Sequence, residues 1–225
     1  MHTIDFHSHI LPRADHGSDG AETTQKQLDR LAGAGVDTVI ATPHFYPNRH
    51  NVDEFIKRRD RSFAELSALN TNGLTVLTGA ELLVCRNLDQ MEGLGRLCIN
   101  NTNTLLLEMP LTDSWDSSLI DSVEAIADAG YVPIMAHIDR YSARQADTLA
   151  ELGVQLQLNA ACLGKLFSKR RFIAMAENGL VSAIGSDLHG TDPKSARAYQ
   201  KSRAILGDSL FFEIMKKSER LAGLA

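Results

Sequence analysis

The sequence predicts an α/β fold in which parallel strands, joined by helical crossovers, form a barrel. Seven short apolar runs alternate along the chain with amphipathic, helix-like stretches, and this alternation is typical of a parallel sheet. The strand runs are mainly apolar, as expected for a sheet that helices cover. No tract rich in proline, glycine and serine divides the 225 residues, so we expect one domain over residues 1–225.

Each predicted strand is a short run of apolar and β-branched residues. The seven runs are, in chain order, TIDFHSH (3–9), DTVIATPH (37–44), LTVLTGAE (74–81), TLLLEMP (104–110), YVPIMAH (131–137), VQLQLNA (154–160) and LVSAIGSDLH (180–189). So many strand–helix alternations in one chain favour a barrel.

Amphipathic stretches between these runs predict helices. The stretch 21–35 carries Leu28 and Leu31 on one stripe and ends in glycines. The same pattern recurs at 115–130 and at 170–179. Each of these helices is expected to lay its apolar stripe on the sheet.

The composition predicts a cytoplasmic protein that binds no nucleic acid and does not insert into membranes. A net charge of −5 and a pI of about 5.9 give a field that repels polyanions and anionic lipid. No apolar run has the length of a membrane span, and the first residues do not resemble a secretory signal. Cys85, Cys98 and Cys162 are odd in number and far apart, as is typical of reduced thiols.

Imidazoles and carboxylates stand at the ends of six of the seven predicted strands. The strand-end residues are His7, His9, His44, Glu81, Glu108, His137, Asn159, Asp187 and His189. The carboxyl ends of parallel strands open onto one face, so we expect these side chains to meet there. His16 lies in the loop after the first strand. Imidazole and carboxylate are metal ligands, and the sequence therefore predicts a metal site.

Taken singly, three of these residues have structural explanations. Glu81 is compatible with a helix cap, His44 with an ordinary loop position, and Glu108 with a pair to a surface lysine. A carboxylate that ends an apolar strand is nevertheless costly to bury without a cation. The repetition of such residues at one structural level favours the metal site.

The ordered motifs resemble a known family. HSH near the start, then TPH, GAE, LLLEMP, AHIDRY and GSDLH are similar to the motifs of the PHP metal-dependent phosphoesterases. Among these, the chain most resembles the bacterial manganese-dependent tyrosine phosphatases of capsule and exopolysaccharide operons. The resemblance spans residues 4–189. It implies a distorted, TIM-like (β/α)7 barrel with its active site at the carboxyl ends of the strands.

The resemblance also implies three divalent metal ions, with Mn²⁺ expected and iron or zinc compatible. The first would be held by His7, His9, Glu81 and Asp187, the second by Glu81, Glu108 and His137, and the third by His16, His44 and His189. Relatives often carry DDG where this chain has Asp15-His16-Gly17, so Asp15 is the alternative to His16. Glu81 and Asp187 are expected to act in catalysis through the metals, which would supply hydroxide as the nucleophile.

Arg140 is the candidate for a phosphate contact. It follows His137 by three residues, and its guanidinium can bind a phosphate through two hydrogen bonds. The alternative is a surface ion pair with Asp139 or Asp147. Relatives also tend to carry an arginine after the last motif, where this chain offers Lys194 and Arg197 in a shorter loop.

These expectations favour a phosphomonoesterase, with protein tyrosine phosphatase ahead of other activities. The expected partner is a phosphotyrosine protein, a bacterial tyrosine kinase tail, in capsule or exopolysaccharide synthesis. A small-molecule phosphatase such as histidinol phosphatase is the alternative, and an amidohydrolase is more distant. The sequence leaves the oligomeric state open.

Overall fold

A computed structural model describes residues 2–165 and 169–225 of the chain. Its strands are β1 (Ile4–Ser8), β2 (Thr38–Ala41), β3 (His44–Phe45), β4 (Thr75–Thr78), β5 (Glu81–Leu83), β6 (Thr104–Glu108), β7 (Val132–Met135), β8 (Gln155–Asn159) and β9 (Val181–Gly185). Its α-helices are α1 (Ala21–Gly33), α2 (Val52–Glu65), α3 (Ser117–Asp128), α4 (Ala143–Glu151), α5 (Lys169–Glu177), α6 (Lys194–Leu206) and α7 (Asp208–Leu221). Short 3₁₀ helices lie at Leu66–Ala68, Leu88–Gln90, Leu94–Leu97, Ile99–Asn101, Ile138–Arg140 and Ala160–Gly164. The predicted domain, 1–225, also includes Met1 and 166–168, which lie outside the described residues.

The strands pair in parallel and follow the chain order around the sheet. One sheet has the order β1–β2–β4, and the other has the order β3–β5–β6–β7–β8–β9. Every one of the seven predicted runs contains a strand. The predicted α/β class with parallel strands is thereby confirmed.

Two of the predicted runs are divided, which the sequence did not indicate. Pro43, which has no N–H to donate, separates β2 from β3. Gly79 and Ala80 separate β4 from β5, and a Cβ at Gly79 would lie 2.9 Å from a side-chain carbon of Ile99. The two divided runs stay paired with each other at their interruptions, since the Glu81 N–H donates to the Pro43 carbonyl at 3.1 Å.

The chain segment after β9 runs beside the carboxyl end of β1. The Asp187 N–H donates to the His7 carbonyl at 2.8 Å, and the His9 N–H donates to the Leu188 carbonyl at 3.2 Å. Ser8 and Leu188 form a parallel bridge. The first and last strand regions therefore present their site residues side by side.

The helices cover the sheet with the predicted apolar stripes. Leu28 and Leu31 of α1 are fully buried, as are Val123 and Ile126 of α3. In α5, Phe172 is buried as well.

Helix α7 packs against β1 and β9, a placement that the sequence left open. The Ile4 N–H lies 3.2 Å from the Met215 sulfur, and the Ser218 hydroxyl donates to the Ser182 carbonyl at 3.0 Å. Within the described residues, every helix is too short or too polar to cross a lipid bilayer.

Candidate metal centre

Glu81, the first residue of β5, lies at the centre of the strand-end cluster. Its Oε1 lies 2.8 Å from Nε2 of His137. Its Oε2 lies 2.8 Å from Nδ1 of His44 and 3.3 Å from Nε2 of both His7 and His9. Yet Oε2 has no hydrogen-bond partner of normal geometry within the described part of the chain. A buried carboxylate oxygen surrounded by nitrogen atoms in this way is suited to a metal ion.

The tautomers of His7 and His9 follow from their neighbours. Nδ1 of His7 lies 3.1 Å from Oε1 of Gln157, and Nδ1 of His9 lies 2.7 Å from Oδ2 of Asp15. Both neighbours are acceptors, so each Nδ1 carries a proton when the ring is neutral. The two Nε2 atoms then turn lone pairs toward each other at 3.0 Å. A proton on one of the two Nε2 atoms, or a metal cation bound beside both, relieves this repulsion.

Two glycines let the imidazoles approach the backbone. A Cβ on Gly17 would lie 2.1 Å from Cβ of His9, and a Cβ on Gly185 would lie 2.6 Å from Cβ of His7. Neither position accommodates a side chain without displacing a predicted ligand.

The charges of the cluster favour bound cations. Burial lowers the pKa of His9, but hydrogen bonds with Asp15 and Glu81 outweigh it and raise that pKa to about 10. For His137, burial is likewise outweighed by Glu108 and Glu81, which raise its pKa to about 9. Burial would raise the pKa of Glu81, but its imidazole neighbours, His7 first among them, hold it well below the usual range. Glu81 is therefore ionised, and the carboxylates around His9 and His137 favour positive charge at those two positions.

Asp187 joins the cluster to Arg140. Its Oδ1 lies 3.5 Å from Nε2 of His9 and 3.4 Å from Nδ1 of His189. Its Oδ2 accepts hydrogen bonds from Nδ2 of Asn159, at 3.1 Å, and from Nη2 of Arg140. Arg140 thus pairs with neither Asp139 nor Asp147, the partners that the sequence suggested, but with a predicted metal ligand.

Backbone strain accompanies two predicted ligands. His137 has a φ of 34° and Asp187 a φ of 50°, in the left-handed region that residues other than glycine seldom adopt. Such strain is concentrated at functional sites, where neighbouring contacts hold it in place.

Three groups of side chains have the spacing of metal ligands among the described residues. They are His7 with His9 and Asp187, His44 with Glu81 and Glu108, and His9 with His44 and His189. Within each group the ligand atoms lie within 4.8 Å of one another. His137 adjoins the second group, with Nε2 3.3 Å from Oε1 of Glu108. The donor set therefore fits divalent metal ions, although the sharing of ligands among individual ions stays a prediction.

His16 stands at the rim of this cluster. Its ring is exposed and lies parallel to that of His44, with centroids 4.8 Å apart, and at the same distance from His189. Asp15 lies deeper and accepts hydrogen bonds from His9, from the His44 N–H and from the Gly17 N–H. The predicted ligand role of His16, with Asp15 as the alternative, stays a prediction.

Comparison with known proteins agrees with this geometry. The sequence model described as "Capsular polysaccharide synthesis, CpsB/CapC" matches residues 3–215. The chain belongs to the CpsB/CapC family. It is 26% identical over 215 residues to the tyrosine-protein phosphatase CpsB of Streptococcus agalactiae, covering 88% of each chain.

Solved structures show the same fold as this CpsB/CapC chain. A structure from the metal-dependent tyrosine phosphatases YwqE of Bacillus subtilis and CpsB of Streptococcus pneumoniae superposes with a TM-score of 0.83 and 22% identity. That match covers 98% of this chain and 94% of the other. The histidinol phosphate phosphatase of Lactococcus lactis, solved with zinc, L-histidinol and phosphate, superposes with a TM-score of 0.56 and 12% identity, covering 91% and 92%.

Other basic and aromatic candidates lie outside the cluster or are packed. Lys194 is exposed and pairs with Asp192 at 3.3 Å, and Arg197 lines an outer groove on α6. The Tyr141 hydroxyl accepts the Met109 N–H at 2.9 Å, as expected of a packed loop tyrosine. Neither Lys194 nor Arg197 has a described contact with the cluster.

The structure adds residues that the strand-end pattern did not reveal. Gln157 and Asp15 contact imidazoles of the cluster, and Tyr46 stacks on His44 with centroids 5.3 Å apart. The sequence signal for Gln157 is its place two residues before Asn159, on the same face of β8.

Proposed function

We propose that this chain is a metal-dependent protein tyrosine phosphatase. The observation that carries the proposal is the buried carboxylate of Glu81 among four imidazoles, two of which have their Nε2 atoms only 3.0 Å apart. Membership of the CpsB/CapC family, whose S. agalactiae member is named a tyrosine-protein phosphatase, supports the choice of substrate.

The residues of this chain would divide the work of phosphate ester hydrolysis. The nine predicted ligands would hold the ions: His7, His9, His16, His44, Glu81, Glu108, His137, Asp187 and His189. When bound, divalent cations supply hydroxide at neutral pH and stabilise charge on the phosphoryl oxygens. Asp15 and Gln157 hold the imidazoles of His9 and His7 in the tautomer that leaves Nε2 free.

Arg140 would bind the phosphate of the substrate. Its side chain is 39% exposed and touches Asp187, so the guanidinium lies at the solvent face of the cluster. A cation at this place orients a dianion without itself being a metal ligand. Because the chain has a net charge of −5, this local positive group matters for attracting an anionic substrate.

The finer features of the proposal follow from the family and the donor set. We propose Mn²⁺ as the metal and three ions per chain, since mixed imidazole and carboxylate ligation suits this ion, as it also suits iron and zinc. We propose a tyrosine kinase tail in capsule or exopolysaccharide synthesis as the partner, acting in the cytoplasm. The whole chain would act as one domain, consistent with α7 packing on β1 and β9.

Comparing substrates tests the proposed activity. In Mn²⁺, we expect a tyrosine-phosphorylated peptide to give the highest kcat/KM, ahead of histidinol phosphate, and a lactone to give no turnover. A preference for histidinol phosphate would favour the small-molecule phosphatase. Turnover of the lactone alone would favour an amidohydrolase and reject the proposal.

A further inference from the structure

Strand β8 contributes no predicted metal ligand, yet two of its buried amide side chains, those of Gln157 and Asn159, form hydrogen bonds with three predicted ligands. Gln157 is fully buried, and its Oε1 lies 3.1 Å from Nδ1 of His7 and accepts the His137 N–H at 2.7 Å. Its Nε2 donates to Oδ1 of Asn159 at 3.1 Å. Nδ2 of Asn159 then donates to Oδ2 of Asp187 at 3.1 Å.

The donor and the acceptor of each hydrogen bond made by the Gln157 and Asn159 side chains are fixed. The His137 N–H can only donate, so the atom of Gln157 that faces it must be the oxygen. The amide nitrogen of Gln157 must therefore face Asn159, whose own nitrogen is left for the carboxylate of Asp187. One amide orientation thus determines the donors and acceptors at three predicted ligands.

The neighbouring strand makes room for the Gln157 amide, which contacts a strained backbone position. A Cβ on Gly185 would lie 2.7 Å from Nε2 of Gln157, so the neighbouring strand holds a glycine where the amide passes. The oxygen of Gln157 also contacts the N–H of His137, the residue with a φ of 34°. The amide therefore supports a strained backbone position as well as an imidazole.

We propose that Gln157, acting with Asn159, is a positioning residue of the metal centre. Gln157 fixes the His7 imidazole with Nε2 facing the cluster, holds His137 in its strained conformation, and orients Asp187 through Asn159. The inference rests on the metal centre that the proposed function requires. Outer hydrogen-bond partners of metal ligands typically change metal affinity or activity by about 10- to 100-fold when they are removed.

The test measures Mn²⁺ affinity directly, by titration of chelator-treated protein with detection of free Mn²⁺ by electron paramagnetic resonance. We expect Gln157→Met to weaken Mn²⁺ binding by about 10- to 100-fold. Gln157→Glu keeps an acceptor for His7 and His137 but loses the donor to Asn159, so it should recover part of the affinity. At saturating Mn²⁺, kcat should fall for Gln157→Met while KM for a phosphorylated substrate stays near the wild-type value.

Gln155→Met is the matched control. Gln155 lies on the same face of β8, where its Oε1 accepts the Ser182 hydroxyl at 2.6 Å, away from the predicted ligands. This variant should bind Mn²⁺ like the wild type. If Gln157→Met does not fold, Asn159→Leu provides the test, since it removes the donor to Asp187 together with the acceptor for Gln157 and should weaken Mn²⁺ binding.

Three results would overturn the inference. The first is wild-type Mn²⁺ affinity in folded Gln157→Met or, if that variant does not fold, in Asn159→Leu. The second is a loss of Mn²⁺ affinity in Gln155→Met equal to that in Gln157→Met. The third is a loss of Mn²⁺ affinity in Gln157→Glu as large as that in Gln157→Met. Wild-type protein that binds Mn²⁺ but hydrolyses no phosphotyrosine would reject the proposed function and leave this inference standing. The two failures are therefore distinguishable.

Discussion

The Asp15 carboxylate lies 2.7 Å from Nδ1 of His9, and the same oxygen accepts the backbone N–H of His44 at 2.9 Å. Its other oxygen accepts the Gly17 N–H at 2.8 Å. Asp15 therefore orients one predicted ligand and anchors the backbone of another, which explains a buried carboxylate next to the exposed His16. A carboxylate placed behind an imidazole also makes that imidazole a stronger ligand.

We expect Asp15→Asn and His16→Ala to have different effects on the metal centre. Asp15→Asn should weaken metal binding by about 10- to 100-fold, since it removes the charge behind His9. His16→Ala should remove one metal ion per chain from the saturated protein. Elemental analysis of both variants, with His2→Ala as the control, makes the comparison. Full metal content in His16→Ala would remove His16 from the ligand set, and loss of an ion in Asp15→Asn alone would transfer the role to Asp15.

Glu81→Gln should abolish most of the activity. The substitution keeps the volume but removes the charge that faces His7, His9, His44 and His137, so kcat should fall by roughly 10³-fold or more. Steady-state assays at saturating Mn²⁺ measure the loss. A variant within about tenfold of the wild type would show that Glu81 does not bridge metal ions.

The control for Glu81→Gln must be chosen from the structure. The sequence places both His2 and His50 away from the strand ends, which predicts that either histidine can be replaced without loss of activity. Nδ1 of His50, however, accepts the Tyr46 N–H at 3.1 Å, and its ring packs 5.8 Å from Phe45. His2 is exposed, so His2→Ala is the neutral control.

Arg140→Ala should reduce kcat/KM by roughly 10- to 150-fold, since a charge-assisted contact is worth about 1.5–3 kcal/mol. Arg140→Lys keeps the charge without the planar fork and should recover part of the loss. Metal content should stay at the wild-type value. Arg144→Ala, at an exposed position on α4, is the control. Lost metal in Arg140→Ala would make the contact with Asp187 a structural support instead.

Thiol reagents should leave the activity unchanged at pH 7.5. Burial raises the pKa of Cys98 to about 11 and also raises the pKa of Cys85 and Cys162. A thiol with a raised pKa stays neutral at pH 7.5, so little thiolate is available as a nucleophile. Iodoacetamide treatment followed by a phosphatase assay measures this. Inactivation in proportion to alkylation would point to cysteine chemistry.

The strand-end residues were predictable because parallel strands deliver their last side chains to one face. His7, Glu81, Glu108 and Asp187 are brought together by that rule alone, although they are distant in the sequence. The apolar stripes of α1 and α3 were predictable for a similar reason, since helical spacing defines the buried side.

The supporting contacts were not predictable from these patterns. Gln157 lies in a run that resembles any strand with alternating polar residues, and only the position of Gly185 on the adjoining strand makes room for its amide. The ion pair of Arg140 with Asp187 could not be predicted either, because Asp187 is distant in the sequence whereas Asp139 is the neighbour of Arg140. The divisions of two strands at Pro43 and Gly79 depend on local backbone geometry.

Metal dependence tests the central claim most directly. The protein would be stripped with EDTA, dialysed exhaustively, and assayed on a tyrosine-phosphorylated peptide before and after addition of Mn²⁺. The buried ring of imidazoles and carboxylates around Glu81 predicts no turnover without metal and recovery of turnover with Mn²⁺. Full turnover in excess chelator would contradict the assignment of this cluster as a metal-dependent phosphatase site.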